Sequence, residues 1–244
     1  MEKERADILL TSLGLASSRE KAKALIMAGE VFVENRKITK AGEMIPCNSK
    51  LIVKEDSCPY VSRGVLKLEK AIKVFNINLS NKICADIGSS TGGFTDCMLQ
   101  SGAEKVYAVD VGSDQLDSKL KNDARVVSME KTDIRNITDE IPAVDFISID
   151  VSFISLKLVL PSAFRLLKND GSLIALIKPQ FEAGKSNLNK KGIVKNEKVR
   201  QNVCEDIKQF AISCGFLYDG ITVSPISGGD GNVEYLIFLK RGEV

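Results

Sequence analysis

The stretch that most constrains the fold is residues 82–96, which read KICADIGSSTGGFTD. The apolar run Ile83–Ile87 is typical of a buried strand, and a Gly/Ser-rich turn separates it from a helix that we expect to begin at Phe94. A strand, a glycine-rich turn and a helix N-terminus form a cradle for a nucleotide-like ligand, because the backbone can approach the ligand closely there. The structural alternative is a tight turn that only joins a buried strand to its helix.

The turn departs from two common phosphate-binding loops. A P-loop needs a lysine where Phe94 stands, and the dinucleotide fingerprint needs a glycine where Ser90 stands. The spacing D-x-G-x-x-x-G-G instead resembles the S-adenosylmethionine (SAM) loop of class I methyltransferases. That resemblance implies SAM as the cofactor. The loop residues expected to contact it are Asp86, Gly88, Ser89, Ser90, Thr91, Gly92, Gly93 and Phe94.

Two further acids follow the next strands and complete the expected cofactor site. Asp110 ends the apolar run that begins at Val106, and an acid at the end of the second strand suits the diol of a ribose. Asp133 follows the third strand and is placed to face an adenine, with a plain loop acid as the alternative.

Strand and helix patterns alternate from residue 63 onward. Such alternation predicts a doubly wound α/β sheet that is covered on both faces. The last two strand patterns, 216–223 and 233–240, have no helix between them and predict an antiparallel hairpin at the sheet edge, as in class I methyltransferases. We therefore expect an α/β fold with a mostly parallel seven-stranded sheet, preceded by a small α+β module.

The first part of the chain predicts that module. Residues 3–14 have helical periodicity, a capping box from Ser17 to Glu20 opens a second helix that Gly29 ends, and Val31–Val33 begins a small hairpin. The expected organisation is a module over residues 1–57, a linker over 58–62 and the larger domain over 63–244.

The module resembles the S4-type RNA-binding domain, through Leu13–Gly14, Ser18–Arg19 and the run from Ile26 to Asn35. The resemblance implies that basic side chains contact RNA phosphates. A solvated helix face is the alternative, because residues 1–57 hold nine acids against ten bases. The predicted contacts are Arg5, Arg19, Lys21, Lys23, Arg36 and Lys37.

Several classes of function are excluded by composition. The chain has no histidine, which excludes Ser-His-Asp, Cys-His and His-metal mechanisms, so a general base must be Asp, Glu, Lys or Tyr. Its six cysteines form no C-x-x-C pair, which argues against a zinc site or a disulfide framework, and we expect no metal. No apolar run approaches the roughly 18–20 residues of a membrane span, and the charged start MEKERAD lacks a signal-peptide core. We expect a cytoplasmic protein without a membrane partner.

Charged residues end or begin otherwise apolar strands. Asp150 ends VDFISID, Lys178 ends SLIALIK, Glu234 begins the last apolar strand, VEYLIFL, and Lys67 lies on the helix before the first strand. Asp150 and Lys178 are either site residues or, as the alternative, halves of ion pairs that only cap the sheet. In that order they match the K-D-K-E set of FtsJ-like ribose 2′-O-methyltransferases. With SRGVLKLEKA, IKPQFE and GNVEYL behind an S4-type module, the chain resembles the TlyA family. The resemblance implies SAM-dependent 2′-O-methylation of a ribosomal RNA cytidine, in the shorter form of the family that modifies only large-subunit rRNA.

The chemistry of that reaction suggests a role for each residue. A ribose hydroxyl must lose its proton as it attacks the sulfonium methyl, and without histidine a lysine is the expected acceptor. We assign Lys178 to activating the hydroxyl, Asp150 and Glu234 to orienting Lys178 and the ribose, and Lys67 to stabilising negative charge.

One stretch is strongly basic. Residues 185–200, here called the basic stretch, hold six bases against one acid, Glu197. It follows Lys178 closely and could close over the site and bind RNA phosphates, most directly through Lys185, Lys190 and Lys191, with a solvated loop as the alternative. The expected partner is ribosomal RNA or a ribosomal subunit.

Two other classes of function make different demands on the sequence. A non-catalytic RNA-binding assembly factor predicts a damaged K-D-K-E set or cofactor loop, and both are intact. A haemolysin, a label that this family has carried, predicts a lytic segment or an export signal, and the sequence displays neither.

Overall fold

The structure is a computed structural model, which describes residues 3–16, 18–34, 36–53, 61–62, 64–137, 140–228 and 231–242. The chain divides into two compact units, Met1–Pro59 and Tyr60–Val244. The predicted linker, 58–62, falls largely outside the described residues, so the domain boundaries given above stay predictions.

The first unit is a small α+β module with two short antiparallel sheets. One sheet pairs β1 with β4, and the other has the order β3-β2-β5. Helices and strands share one core, in which Leu10, Ile26 and Ile45 are almost completely buried. The elements are β1 (Lys3–Arg5), α1 (Ala6–Ser12), α2 (Arg19–Ala28), β2 (Val31–Val33), β3 (Arg36–Lys37), β4 (Met44–Pro46) and β5 (Leu51–Val53).

The start of this unit differs from the prediction. The predicted helix 3–14 is wrong at its beginning, because Lys3–Arg5 pairs in a sheet with Met44–Pro46, a strand that the sequence did not indicate. The predicted Ser17 cap lies outside the described residues, and α2 is capped instead by Ser18, whose Oγ accepts a hydrogen bond from Lys21 N at 3.1 Å. Gly29 ends α2 with a φ of 76°, as its position predicts.

The second unit is the predicted doubly wound α/β fold. Its seven-stranded sheet has the order β11-β12-β10-β9-β6-β7-β8, in which only the pairs made by β12 are antiparallel. The strands are β6 (Ile83–Ile87), β7 (Lys105–Val109), β8 (Val126–Met129), β9 (Val144–Ile149), β10 (Leu167–Ile177), β11 (Phe216–Val223) and β12 (Tyr235–Arg241). The helices are α3 (Val65–Phe75), α4 (Gly93–Gln100), α5 (Ser118–Lys121), α6 (Leu160–Leu166), α7 (Pro179–Glu182) and α8 (Glu197–Ser213).

Apolar side chains cover both faces of the sheet. Leu68 of α3 and Met98 of α4 pack with Phe146 on one face, and Leu160 of α6 and Ile207 of α8 join the core on the other. Because both faces are buried, the central strands read as nearly continuous apolar runs.

The strand register brings four chain segments together at one end of the strands: the C-terminal ends of β6, β9 and β10 and the N-terminal end of β12. Ile149 of β9 lies opposite Ile87 of β6 and Ala175 of β10, so these three parallel strands end near one another. β12 runs in the opposite direction, and its first residue, Tyr235, pairs with Ile177, the last residue of β10. Residues just before β12 therefore lie beside residues just after β10.

A buried carboxylate anchors the first unit. Asp7 has a fully buried side chain and pairs with Arg5 Nε at 2.9 Å and with Arg19 Nη2 at 3.1 Å. Hydrogen bonds from Arg5, and then from Arg19, hold the pKa of Asp7 well below its ordinary value of 3.8. The ionised form is thus favoured by folding, and the stability it gives is present above pH 3.8 and is lost as the pH falls through the depressed pKa.

We expect Asp7→Asn to lower the stability of the first unit by about 1–3 kcal/mol at neutral pH, because it removes a buried charged hydrogen-bond acceptor. Hydrogen exchange of α1 and α2 amides in the full chain measures the loss, which should shrink below pH 3.8. Glu43→Gln is the control, since it removes only the more exposed pair with Arg36, worth about 0–1 kcal/mol. Equal protection in Asp7→Asn and wild type would show that the buried carboxylate does not anchor the unit.

Candidate active site

The glycine-rich loop approaches neighbouring backbone and side chains too closely for larger residues. Gly88 has a φ of +82°, and a Cβ there would lie 2.5 Å from the carbonyl oxygen of Asp150. Gly92 has a φ of +95°, and its Cβ would collide with Leu120 and Leu116. α4 begins at Gly93, one residue before the predicted start.

Asp86 lies beneath this loop and is fully buried. Thr95 Oγ1 donates to its Oδ2 at 2.7 Å, and Ser148 Oγ donates to its Oδ1 at 2.9 Å. Burial raises its pKa to about 7, against the lowering effect of those two hydrogen bonds. Asp86 does not line either cavity described below, so its geometry indicates that it supports the loop from below.

A cavity of about 470 Å³ lies beside the loop, at the carboxyl ends of β6, β7 and β9. Its apolar walls include Ile87, Val109 and Ile134, a composition that suits a purine ring. Four of the residues predicted to bind the cofactor line it: Gly88, Ser90, Asp110 and Asp133.

The two acids of this cavity are held by backbone and side-chain donors. Ser90 N donates to Asp110 Oδ2 at 2.8 Å and Gly112 N donates to Oδ1 at 2.7 Å, which ties the loop to the end of β7. Asp133 pairs with Arg135 Nη2 at 2.5 Å, and the hydrogen bonds from Arg135 lower its pKa. A carboxylate oxygen has more than one lone pair, so both acids keep acceptor capacity for hydroxyl or amino groups.

A smaller cavity of about 200 Å³ adjoins the first, and Gly88, Ser90, Asp150 and Ser152 line both. Lys178 lines only the smaller one. Four further predicted loop residues line it as well: Ser89, Thr91, Gly93 and Phe94. Gly92, the remaining loop residue, packs against α5.

The four predicted catalytic residues form one network of charges. Lys178 Nζ lies 2.6 Å from Asp150 Oδ1, and Lys67 Nζ lies 2.8 Å from Glu234 Oε2. Lys67 Nζ also lies 4.0 Å from Asp150 Oδ2, which joins the two pairs. The register explains the arrangement: Asp150 follows β9, Lys178 follows β10, and Glu234 directly precedes β12 rather than beginning it.

Three residues of this region were missed by the sequence reasoning. Ser152 accepts a hydrogen bond from Lys178 Nζ at 2.8 Å, and its place in the run after Asp150 was the signal available. Asn232 is buried and binds backbone groups of the basic stretch, and Arg200 binds the same segment. The contacts of Asn232 with Val194 and of Arg200 with Tyr235 each join residues more than thirty positions apart in the sequence. No periodicity in the sequence marks such contacts.

The residues predicted to bind RNA lie on the surface of the first unit, several of them with acidic partners. Arg36 pairs with Glu43 at 2.5 Å, and Lys37 Nζ lies 5.8 Å from the centre of the Phe32 ring. Arg5 and Arg19 are half-exposed and are both held by Asp7. Lys21 is exposed and Lys23 partly so.

The basic stretch begins with a 3₁₀ turn at Lys185–Asn187 and leads into α8. Lys185, Lys190, Lys191 and Lys195 are exposed, and within the described ranges none of them pairs with a carboxylate. Their charges are therefore available to an anionic partner.

Two negative results concern only the part of the chain that the structure describes. There, no group of three or more Cys, Asp or Glu side chains is arranged to hold a metal ion. None of the described helices combines the length and the apolar character that a membrane crossing requires.

Known protein families match both units of the chain. The FtsJ-like methyltransferase family matches residues 60–241 and the S4 domain matches residues 4–46. The 16S/23S rRNA (cytidine-2′-O)-methyltransferase TlyA of Mycobacterium tuberculosis is 39% identical, over 97% of this chain and 89% of its own. Hemolysin A of Brachyspira hyodysenteriae is 46% identical, over 95% of this chain and 98% of its own.

A solved structure extends the likeness to the whole fold. A Streptococcus thermophilus protein described as a hemolysin superposes with a TM-score of 0.78 at 46% identity, over 100% of this chain and 90% of its own. The sheet order, the K-D-K-E network and these matches lead to one conclusion: the chain is an FtsJ-like methyltransferase with an N-terminal S4 domain and belongs to the TlyA family.

Proposed function

We propose that this protein transfers a methyl group from SAM to the ribose 2′-hydroxyl of a cytidine in ribosomal RNA, with large-subunit rRNA as the substrate. The observation that carries the proposal is the network of Lys67, Asp150, Lys178 and Glu234, two members of which, Asp150 and Lys178, line the smaller cavity. The target nucleotide class comes from the TlyA relative, whose name specifies cytidine 2′-O-methylation.

The residues around the two cavities fit SAM. The apolar walls of the larger cavity suit the adenine, Asp110 suits the ribose diol, and Asp133, which lines the same cavity, would face the purine. The loop of the smaller cavity would take the methionyl part, since glycines there leave room for a ligand next to the backbone. When bound, SAM supplies an electrophilic methyl group on a sulfonium.

The protein's own residues would then prepare the ribose hydroxyl. Lys178 is the lysine of the network that lines the smaller cavity, which supports its assignment to activating the hydroxyl. Asp150 and Ser152 hold the Lys178 amino group from two sides and fix its direction. In its neutral form this amino group would accept the hydroxyl proton as the oxygen attacks the methyl group. Lys67 is paired with Glu234 farther inside, where its charge would stabilise the developing alkoxide through the network.

An exposed aromatic ring packs on Phe181, whose own ring centre lies 5.9 Å from Lys178 Nζ, and it suits an RNA base. Phe153 is 91% exposed, has a φ of +64°, lines the larger cavity and contacts the Phe181 ring at a centroid distance of 5.0 Å. Single-stranded RNA bases stack on aromatic side chains, and so large an exposed ring next to charged groups favours a nucleotide substrate over a small metabolite.

The direct test is methyl transfer from labelled SAM into 30S and 50S subunits that are offered separately, followed by nuclease mapping. We expect a 2′-O-methylcytidine in the 50S subunit alone. Label in both subunits would keep the chemistry and overturn the large-subunit assignment. Absence of label in both, with SAM binding measured by calorimetry, would favour the non-catalytic assembly factor.

Lys178→Ala should lower the methylation rate by at least about 100-fold, because it removes the group that activates the hydroxyl, while SAM affinity stays close to that of the wild type. Lys168→Ala is a matched control: Lys168 lies near the other end of the same strand and pairs with Asp145 at 3.0 Å. Loss of SAM affinity together with activity in Lys178→Ala would assign this lysine to cofactor binding instead.

The double variant Lys21→Ala/Lys23→Ala should weaken binding to rRNA, because each lysine that neutralises a phosphate releases a counterion. The salt dependence of the affinity should fall by about one unit of slope for every phosphate that the variant no longer neutralises. The matched control is Lys40→Ala/Lys50→Ala, which removes two exposed lysines elsewhere in the first unit. Equal affinities and slopes for the two double variants would show that Lys21 and Lys23 do not contact RNA phosphates.

A further inference from the structure

The basic stretch is fastened to the segment that carries Glu234 by one buried side chain. Asn232 is 1% exposed, and its amide makes two hydrogen bonds to the backbone of the stretch. Val194 N donates to Asn232 Oδ1 at 3.1 Å, and Asn232 Nδ2 donates to the carbonyl oxygen of Gly192 at 3.1 Å. A buried amide with both ends paired specifies one position of the loop that it binds.

Arg200 makes a second connection between the same loop and Tyr235, the residue that follows Glu234. Arg200 Nη1 donates to the carbonyl oxygens of Val194 at 3.0 Å and Lys195 at 2.7 Å. The Nε of the same guanidinium donates to the hydroxyl of Tyr235 at 3.3 Å. The segment 192–195 is therefore tied to residues 232 and 235, on both sides of Glu234.

Glu234 has little freedom between these two ties. Its side chain is 2% exposed, its Oε2 pairs with Lys67, and its carbonyl oxygen accepts a hydrogen bond from Ser224 N at 2.8 Å. Gly228 packs so closely that a Cβ there would lie 2.5 Å from Glu234 Oε1. A displacement of segment 192–195 would therefore shift the Glu234 carboxylate, which is tightly packed and paired with Lys67.

The other side of the same loop carries exposed charge. Lys190, Lys191 and Lys195 flank the tied positions 192 and 194, and none of them pairs with a carboxylate among the residues described. Phosphates bound by these lysines would hold the loop from outside, while Asn232 and Arg200 hold it from inside.

We propose that Asn232, assisted by Arg200, is a positioning residue that couples phosphate binding by the basic stretch to the placement of Glu234 and Lys67. The inference rests on the proposed function, because its ligand is the phosphate backbone of the RNA substrate. RNA that is bound by the basic stretch thereby completes the alignment of the catalytic network, so that binding contributes to the methylation rate as well as to affinity.

The experiment measures single-turnover methylation of 50S subunits by the full chain, which separates the rate at saturating RNA from the half-saturating RNA concentration. We expect Asn232→Ala to lower the saturated rate at least tenfold, with SAM affinity within twofold of wild type. Arg200→Lys keeps the charge but loses the planar guanidinium that binds the carbonyl oxygens of Val194 and Lys195, so it should also lower the saturated rate. This variant decides the question if Asn232→Ala does not fold. Asn78→Ala is the control, since Asn78 caps a turn before β6, away from the site.

Coupling itself is tested with the triple variant Lys190→Ala/Lys191→Ala/Lys195→Ala. In the wild-type background it should raise the half-saturating RNA concentration and lower the saturated rate. In the Asn232→Ala background it should raise the half-saturating concentration by the same factor and lower the saturated rate much less, because only the Arg200–Tyr235 contact still joins the loop to the segment of Glu234.

The outcomes separate this inference from the proposed function. Unchanged saturated rates in folded Asn232→Ala and Arg200→Lys, or a triple-lysine effect on affinity alone in both backgrounds, would overturn the coupling while methylation itself stands. A wild-type chain that binds SAM and methylates no rRNA would overturn the proposed function, and this inference with it.

Discussion

Asp150 holds two lysines in one partly buried site, and the position of the other groups in the charged network depends on this carboxylate. One of its oxygens lies 2.6 Å from Lys178 Nζ and the other 4.0 Å from Lys67 Nζ. Two ammonium groups so placed would repel each other, and removing either from water is costly without a counter-charge. Asp150 and Glu234 supply equal negative charge, and the ends of β9, β10 and β12 together with helix α3 keep the four groups near one another.

The same residue links the charged network to the cofactor cavities. The backbone of Asp150 passes so close to Gly88 that only glycine fits there, and Asp150 N donates to the carbonyl oxygen of Ile87 at 2.9 Å. The glycine loop and Asp150 are therefore positioned by one pair of neighbouring strands, β6 and β9. A methyl donor bound on the loop and a methyl acceptor beside Lys178 would meet at the residues that line both cavities.

The sequence predicted the large features of the second unit because they follow from local patterns. Alternating strand and helix patterns indicated the doubly wound sheet, and charged residues at the ends of apolar runs indicated Asp150, Lys178 and Glu234. Lys67 lies on a helix, and the resemblance to the K-D-K-E set added it to the group that the structure brings together. Their roles, and those of the predicted cofactor and RNA contacts, stay proposals.

Features that depend on distant partners could not be read in the same way. Lys3–Arg5 has a helical pattern but becomes a strand because Met44–Pro46 pairs with it, about forty residues away. Asn232 resembles any loop asparagine until the backbone of Gly192 and Val194 is placed against it. Short strands and single buried amides carry little periodicity, so tertiary contacts decide them.

The reversed direction of β12 has a consequence for the order in which the site is assembled during synthesis. Strands β6 to β10 and the whole glycine loop are complete once residue 178 has been made, whereas Glu234 arrives 56 residues later (234 − 178). A nascent chain can form the cofactor cavities while Lys67 still lacks Glu234, the closer of its two carboxylate partners. Insertion of the last strand between β10 and β11 thus brings the second carboxylate to the inner lysine, and the chain acquires a ligand pocket before it acquires a finished reaction centre.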